Sequence, residues 1–287
     1  MDQTATLRQA VAIKAPNRIV RVVAVTSGKG GVGKTNVTAN LAVALAHLGR
    51  RVMVLDADVG LGNLDVLLGL TPPYTLADVL SGRRRLREVV FPGPGGIRVL
   101  PAGSGFQNLT ALSDHQIREL QSEMDELQEE TDVLLIDTGA GIGRNVTSFA
   151  TMAQDIIVVA TPEPTSLTDA YALMKVLSTQ YSERRFRLLV SMTRTPTDGG
   201  DVYRKLSLVA ERFLHISIDF LGSIPYDPRL TEAVCQQRPL VELYPQSKAA
   251  QAFLGLAHDL AEWPLPESPK GGLQFFWGSL LRKDQPT

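Results

Sequence analysis

Two rhythms of apolar and polar positions alternate along this chain. Short β-branched or aliphatic runs occur at 19–25 (Ile-Val-Arg-Val-Val-Ala-Val), 52–55, 97–100, 132–136, 155–160, 186–192 and 218–224. Each is short and bounded by turn formers, so each is expected to be a buried strand. Between most of them the apolar spacing lengthens to three and four. Over 35–48, Val37, Leu41, Leu45 and Leu48 share one helical face, and Gly49 is placed to cap the end. Similar helical patterns run over 114–129, 166–179 and 201–214. Strands alternating with helices predict an α/β fold: a doubly wound, mostly parallel sheet with helices on both faces. Three parts are expected. Residues 1–18 form a polar segment, a short helix plus a linker; 19–263 form one α/β domain; 264–287 form a Pro-rich linker (264–271) followed by a short apolar helix.

Composition narrows the chemistry. The chain has 287 residues, 29 Lys+Arg against 30 Asp+Glu, 44% hydrophobic and 21% charged residues. That is a folding chain, and its near-zero net charge gives no global attraction to nucleic acid. There is one cysteine, Cys235, so an intrachain disulfide or a cysteine-cluster metal site is excluded, which fits a reducing cytoplasm. No apolar run reaches the roughly 18 residues of a membrane span. Met1-Asp2-Gln3 has an early acid and no apolar core after it, so a cytoplasmic location is expected.

The strongest motif is Gly28-Lys29-Gly30-Gly31-Val32-Gly33-Lys34-Thr35, which satisfies G-x-x-x-x-G-K-[ST]. It lies between a predicted strand and a predicted helix, where its glycines can turn backbone N–H groups around phosphate oxygens and the helix adds its positive end. Lys34 is expected to reach the β- and γ-phosphates and the Thr35 hydroxyl to hold Mg²⁺. The nucleotide-binding set runs from Gly28 to Asn36. The competing reading is a Gly-rich turn with an accidental lysine.

Two apolar strands end in acids. Val52–Leu55 runs into Asp56-Ala57-Asp58, and Val133-Leu134-Leu135-Ile136 runs into Asp137. Chemistry in parallel sheets gathers at such strand ends. Asp137 matches the acid that holds Mg²⁺ through water in phosphate-loop enzymes; the Asp56/Asp58 pair alone also reads as a helix cap or turn.

Lys-Gly-Gly-Val-Gly-Lys-Thr, with its second lysine at Lys29, resembles the deviant Walker A motif of the MinD/ParA family of P-loop NTPases, SIMIBI class. The resemblance implies that Lys29 crosses a nucleotide-sandwich homodimer to the partner's phosphates. Such a cation can neutralise charge that develops in phosphoryl transfer. It implies that Asp58 orients the attacking water, that Asp56 supports the Mg²⁺ and lysine network, and that Asn63 lies in switch I. Thr138-Gly139-Ala140-Gly141 resembles switch II, with Gly139 where the family usually has proline. That exchange predicts a more flexible loop and a free N–H for the γ-phosphate. The family reads adenine with an Asn after a late strand; here that position is Ser191, whose hydroxyl cannot make a two-pronged amide contact. Pro225 and Tyr226 are expected to line the base with backbone groups, although Ile224-Pro225-Tyr226-Asp227 also reads as a simple proline turn.

Within the family the chain looks closest to the FlhG/FleN branch, which sets flagellar number. The resemblance is carried by Gly60-Leu61-Gly62-Asn63-Leu64-Asp65, Thr75-Leu76-Ala77-Asp78-Val79-Leu80 and Thr168-Asp169-Ala170-Tyr171-Ala172-Leu173. Asp2-Gln3-Thr4-Ala5-Thr6-Leu7-Arg8 resembles the branch's activator motif, which implies that Gln3 assists GTP hydrolysis on an FlhF-type GTPase. A FleQ/FlrA-type transcription activator is the other implied partner. Leu273, Phe276, Trp277, Leu280 and Leu281 form one helical stripe. It suits an anionic membrane surface, at the inner membrane of the cell pole by resemblance, or packing on the chain's own body. Arg83-Arg84-Arg85-Leu86-Arg87 suits anionic lipid or an acidic partner, but more often such a run is a solvated face. A MinD-like division-site protein and a ParA-like segregation protein are the alternatives. A non-hydrolysing module is disfavoured by Lys29 and Asp58, and an Fe–S reductase by the single cysteine.

Overall fold

The computed structural model describes residues 19–58, 62–101, 103, 123–124 and 126–264. Gln3, Phe276, Trp277 and Leu280 lie outside the described residues, as do 59–61 of the switch I stretch and most of the helix expected over 114–129.

The strands are β1 (Arg21–Ser27), β2 (Val52–Ala57), β3 (Phe91–Pro92), β4 (Arg98–Pro101), β5 (Val133–Ala140), β6 (Asp155–Ala160), β7 (Arg185–Thr193) and β8 (Ser217–Pro225). They form one sheet in the order β3-β4-β2-β5-β1-β6-β7-β8. Only the two-residue β3 runs antiparallel, at one edge. Its Phe-Pro pair was too short to show a period in the sequence. The interior strands are buried on both faces, as a parallel sheet covered by helices requires.

The helices are α1 (Lys34–His47), α2 (Leu64–Leu67), α3 (Leu76–Leu80), α4 (Leu86–Val89), α5 (Arg144–Met152), α6 (Pro164–Tyr181), α7 (Asp198–Leu214), α8 (Pro228–Cys235), α9 (Leu240–Leu243) and α10 (Lys248–Glu262). On one face, α1 packs between the sheet and α10, and Leu41, Leu45, Phe253 and Ala257 share one core with β1, β2 and β5. On the other, α6 and α7 cover β6 and β7 through Leu173, Leu177 and Leu206. α1 ends in a Schellman turn: Gly49 (φ 80°) donates to Ala46 O at 2.9 Å and Arg50 N to Leu45 O at 3.1 Å. Gly49 therefore follows the cap, Leu48, by one residue. α3 opens with a reciprocal Thr75/Asp78 capping box, a T-x-x-D signal legible in the sequence.

Below the sheet, Asp155 bridges Arg21 (2.9 Å) and Arg187 (3.1 Å). The Arg187 guanidinium lies 3.4 Å from the centre of the Trp263 ring, and Arg21 donates to the Trp263 carbonyl at 3.0 Å. This clamp fixes the end of α10 at the strands' N-terminal edge. The arginine run is largely neutralised: Arg83 pairs with Asp78 at 2.9 Å, Arg84 with Glu88 at 3.2 Å, and Arg87 with Glu130.

Candidate nucleotide site

The phosphate loop leaves the central strand β1 and enters α1. Gly31 (φ 78°) and Gly33 (φ 90°) take the left-handed conformation that turns the backbone inward. Gly28 has a different reason to be glycine. A Cβ there would lie 2.0 Å from the Asp169 carbonyl oxygen, so the first turns of α6 press directly on the loop.

Register brings the acids together. Asp56 on β2 pairs with Asp137 on β5. Both are buried, and burial is the main reason both carboxyls are raised, Asp56 to about 7 and Asp137 to about 6. Repulsion from Asp137 adds to Asp56, while the Asp58 and Leu64 N–H groups oppose the rise. At Asp137 the Thr35 hydroxyl, Lys34 and the Thr38 hydroxyl oppose it. The Thr38 hydroxyl lies 3.2 Å from Asp137 Oδ1. Burial lowers Lys34, and the charges of Asp137 and Asp58 pull it back. Two buried carboxyls thus stand side by side, with Lys34 as the cation beside Asp137, and burial with repulsion from neighbouring acids still holds both raised, which fits a hard divalent cation. One or two carboxylates beside a phosphate loop suit an ion such as Mg²⁺, which leaves its other positions to phosphate and water.

Asp58 faces switch II: its Oδ1 is 3.4 Å from where a Gly139 Cβ would stand. Asn63 is exposed at the N-terminus of α2, and its side chain caps nothing. Gly139 departs from the expectation of a flexible loop. It lies within β5, and the following Gly141 N–H donates to Ser27 O at 2.9 Å. Main-chain pairing with β1, continued by Ser27↔Ala140, overrides the freedom glycine would have in a turn.

Lys29 points to neighbours on its own chain. Its Nζ is 3.0 Å from Glu163 Oε2 and 2.9 Å from Thr165 Oγ1. Ser27 Oγ donates to the Lys29 carbonyl at 2.7 Å. Sequence reasoning missed Glu163 and Thr165. The signal was Glu163-Pro164-Thr165, a proline at the first position of a helix, which places both side chains at the start of α6.

Beside the loop a pocket is lined by Asn36, Ser191, Met192, Pro225, Tyr226 and Thr231, among others. Pro225 and Tyr226 are where the base was expected. Of their backbone groups, the Tyr226 N–H is used within the fold: it donates to Thr193 O at 2.8 Å and continues the β7–β8 pairing. Ser191 is 4% exposed and donates its hydroxyl to the Val32 carbonyl at 2.5 Å. It braces the phosphate loop from below. Met192 sits at φ 58°, an uncommon conformation for its residue type at the pocket wall.

This geometry agrees with the comparisons. The family model for the CobQ/CobB/MinD/ParA nucleotide binding domain matches residues 23–240. The chain belongs to this MinD/ParA family. The matched region is a nucleotide-binding domain and includes the phosphate loop, Asp56, Asp58 and Asp137. The chain is 51% identical to "Antiactivator FleN" of Pseudomonas aeruginosa over 92% of its own length and 94% of that protein. It is 33% identical to "Flagellum site-determining protein YlxH" of Helicobacter pylori, over 91% and 90%. Among solved structures, the septum site-determining protein MinD of Pyrococcus horikoshii, complexed with Mg-ADP, superposes with a TM-score of 0.67 at 29% identity, covering 85% of this chain and 97% of that one. Relatives named for septum placement stand below the 51% of FleN, at 41% identity over 77% of this chain for a putative MinD of Emiliania huxleyi and 32% over 85% for Bacillus subtilis MinD.

Proposed function

We propose that the chain is an ATP-driven dimerising switch that regulates flagellar number. It restrains a FleQ/FlrA-type transcription activator and, through Gln3, stimulates an FlhF-type GTPase. The observation that carries this reading is a second loop lysine, Lys29, in a chain half identical to a protein named antiactivator FleN. The similarity to a flagellum site-determining protein supports it further.

The machinery is assigned as follows. Gly30, Gly31 and Gly33 turn their N–H groups to the phosphates, with Lys34 beside them. Thr35 and Asp137 hold the divalent ion, with Asp56 behind them. The ion, when bound, neutralises charge on the β- and γ-phosphates. Asp58 orients the water, and Asn63, just before α2, and Gly139, at the end of β5, sense the γ-phosphate. Lys29 of each chain crosses to the nucleotide held by the other. Before that it must leave Glu163 and Thr165. That exposed pair is worth about 0–1 kcal/mol, a small barrier to release.

No helix among the described residues is long and apolar enough to cross a membrane. We assign Phe276, Trp277 and Leu280 to reversible contact with an anionic membrane surface, strengthened when a dimer presents two copies. The test is a pull-down from cells with and without a slowly hydrolysed ATP analogue. Nucleotide-dependent recovery of a flagellar activator and an FlhF-type GTPase is expected; recovery of division or chromosome-segregation proteins in their place refutes the flagellar reading.

A further inference from the structure

The pocket beside the phosphate loop has lost the reader its family resemblance assigns. Ser191 is buried and donates its one hydroxyl proton to Val32 O at 2.5 Å, so it has no donor left for a base. Tyr226 has its N–H bound to Thr193 O, and Pro225 has none to give. Asp227 accepts from Arg229 N at 3.0 Å and Ala249 N at 3.4 Å, holding the start of α8 and reaching α10. Among the side chains lining the pocket, Asn36 alone carries an amide. Its side chain makes no hydrogen bond among the described residues. Its backbone is fixed, because Asn40 Nδ2 donates to the Asn36 carbonyl at 2.8 Å while Asn40 Oδ1 accepts from Val241 N at 3.1 Å. Asn36 therefore stands on a braced first turn of α1, with its N–H at the phosphate end and a free amide on the pocket wall.

We propose that Asn36 is the base-reading residue of this ATPase, taking over from position 191 the discrimination of adenine from guanine. An asparagine amide donates and accepts in one plane, which matches the N7 acceptor and N6 donor on one edge of adenine. Guanine presents two acceptors on that edge and leaves the amide oxygen facing O6. Thr231 on α8 also lines the pocket and carries a hydroxyl. Ser191 acts instead as a positioning residue, holding the Val32 carbonyl and with it the curvature of the loop. The inference rests on the nucleotide reading of the site but goes further than it.

The test measures dissociation constants of the full chain, with Mg²⁺, for ADP, GDP and pyrophosphate. Wild type is expected to prefer ADP over GDP by about tenfold or more, the range of one well-made pair of hydrogen bonds. Asn36→Ala should weaken ADP by about tenfold, close the ADP/GDP gap and leave pyrophosphate unchanged. Ser191→Ala should weaken all three in parallel and keep the gap. Unfolding of each variant without ligand separates these effects from loss of fold. The proposal is overturned if Asn36→Ala keeps the wild-type ADP/GDP ratio, if it weakens pyrophosphate as much as ADP, or if Ser191→Ala is the variant that closes the gap. A wild-type chain that binds none of the three refutes the nucleotide reading itself.

Discussion

Asp56 and Asp137 are held at one register by β2 and β5, and the protein must keep two acids side by side until a cation arrives. Each binds protons more readily folded than unfolded, since burial raises Asp56 to about 7 and Asp137 to about 6, above the ordinary aspartate value of about 3.9. Folding then takes up protons between the unfolded and folded values. The stability this gives the ligand-free protein is present below about pH 4 and is lost as pH rises through about 6 to 7. Asp56→Asn removes one acid, so ligand-free Asp56→Asn should melt several degrees above wild type at pH 8, with the difference shrinking toward pH 5. Calorimetry at the two pH values checks it; equal offsets at both contradict it. At Lys29 the same scale gives a smaller effect. Glu163→Gln weakens a contact that is 38% exposed on the lysine and 66% on the acid. It should lower the protein concentration needed for ATP-dependent dimerisation by less than about fivefold. A rise in that concentration, read by sedimentation, would mean that Glu163 serves the dimer and does not restrain Lys29.

Gly28 shows what the elements require of single residues. The α6 backbone at Asp169 occupies the space of any side chain there, so Gly28→Ala must push α6 away from the loop. The expected loss is about 1–3 kcal/mol in urea unfolding, with weaker nucleotide binding. At the other end, Trp263 is the surface on which Arg187 stacks. Trp263→Ala should cost about 1–2 kcal/mol and raise hydrogen exchange in the last turn of α10, with exchange in α1 unchanged. The elements themselves were largely legible in the sequence. β6 runs over the expected residues, and β7 and β8 differ by one residue at each end, because apolar-rich runs bounded by turn formers leave little choice. The two-residue β3 was not, because its pairing with β4 is a tertiary contact. The phosphate loop could be read for the opposite reason, since it is one contiguous motif. The Lys29 contacts with Glu163 and Thr165 could not, because 134 and 136 residues separate the partners. Ser191 was visible only as a departure; its hydrogen bond to Val32, 159 residues away, belongs to the fold.

The whole molecule places the candidate chemistry and the end of α10 at opposite edges of one sheet. Asp56, Asp58, Asp137 and the phosphate loop gather at the C-terminal ends of the strands, while the clamp of Arg21, Asp155, Arg187 and Trp263 fixes the end of α10 at the other edge. The proposed mechanism is a dimer that forms with ATP and opens on hydrolysis, with Lys29 acting across it and Asp58 within each copy. The most direct measurement is oligomeric state and turnover on the same samples, by sedimentation and phosphate release, for wild type, Lys29→Ala and Asp58→Ala with ATP. Wild type should dimerise and turn over, Asp58→Ala should remain dimeric with turnover reduced at least a hundredfold, and Lys29→Ala should lose turnover. If both variants dimerise and hydrolyse ATP as wild type does, the mechanism is wrong.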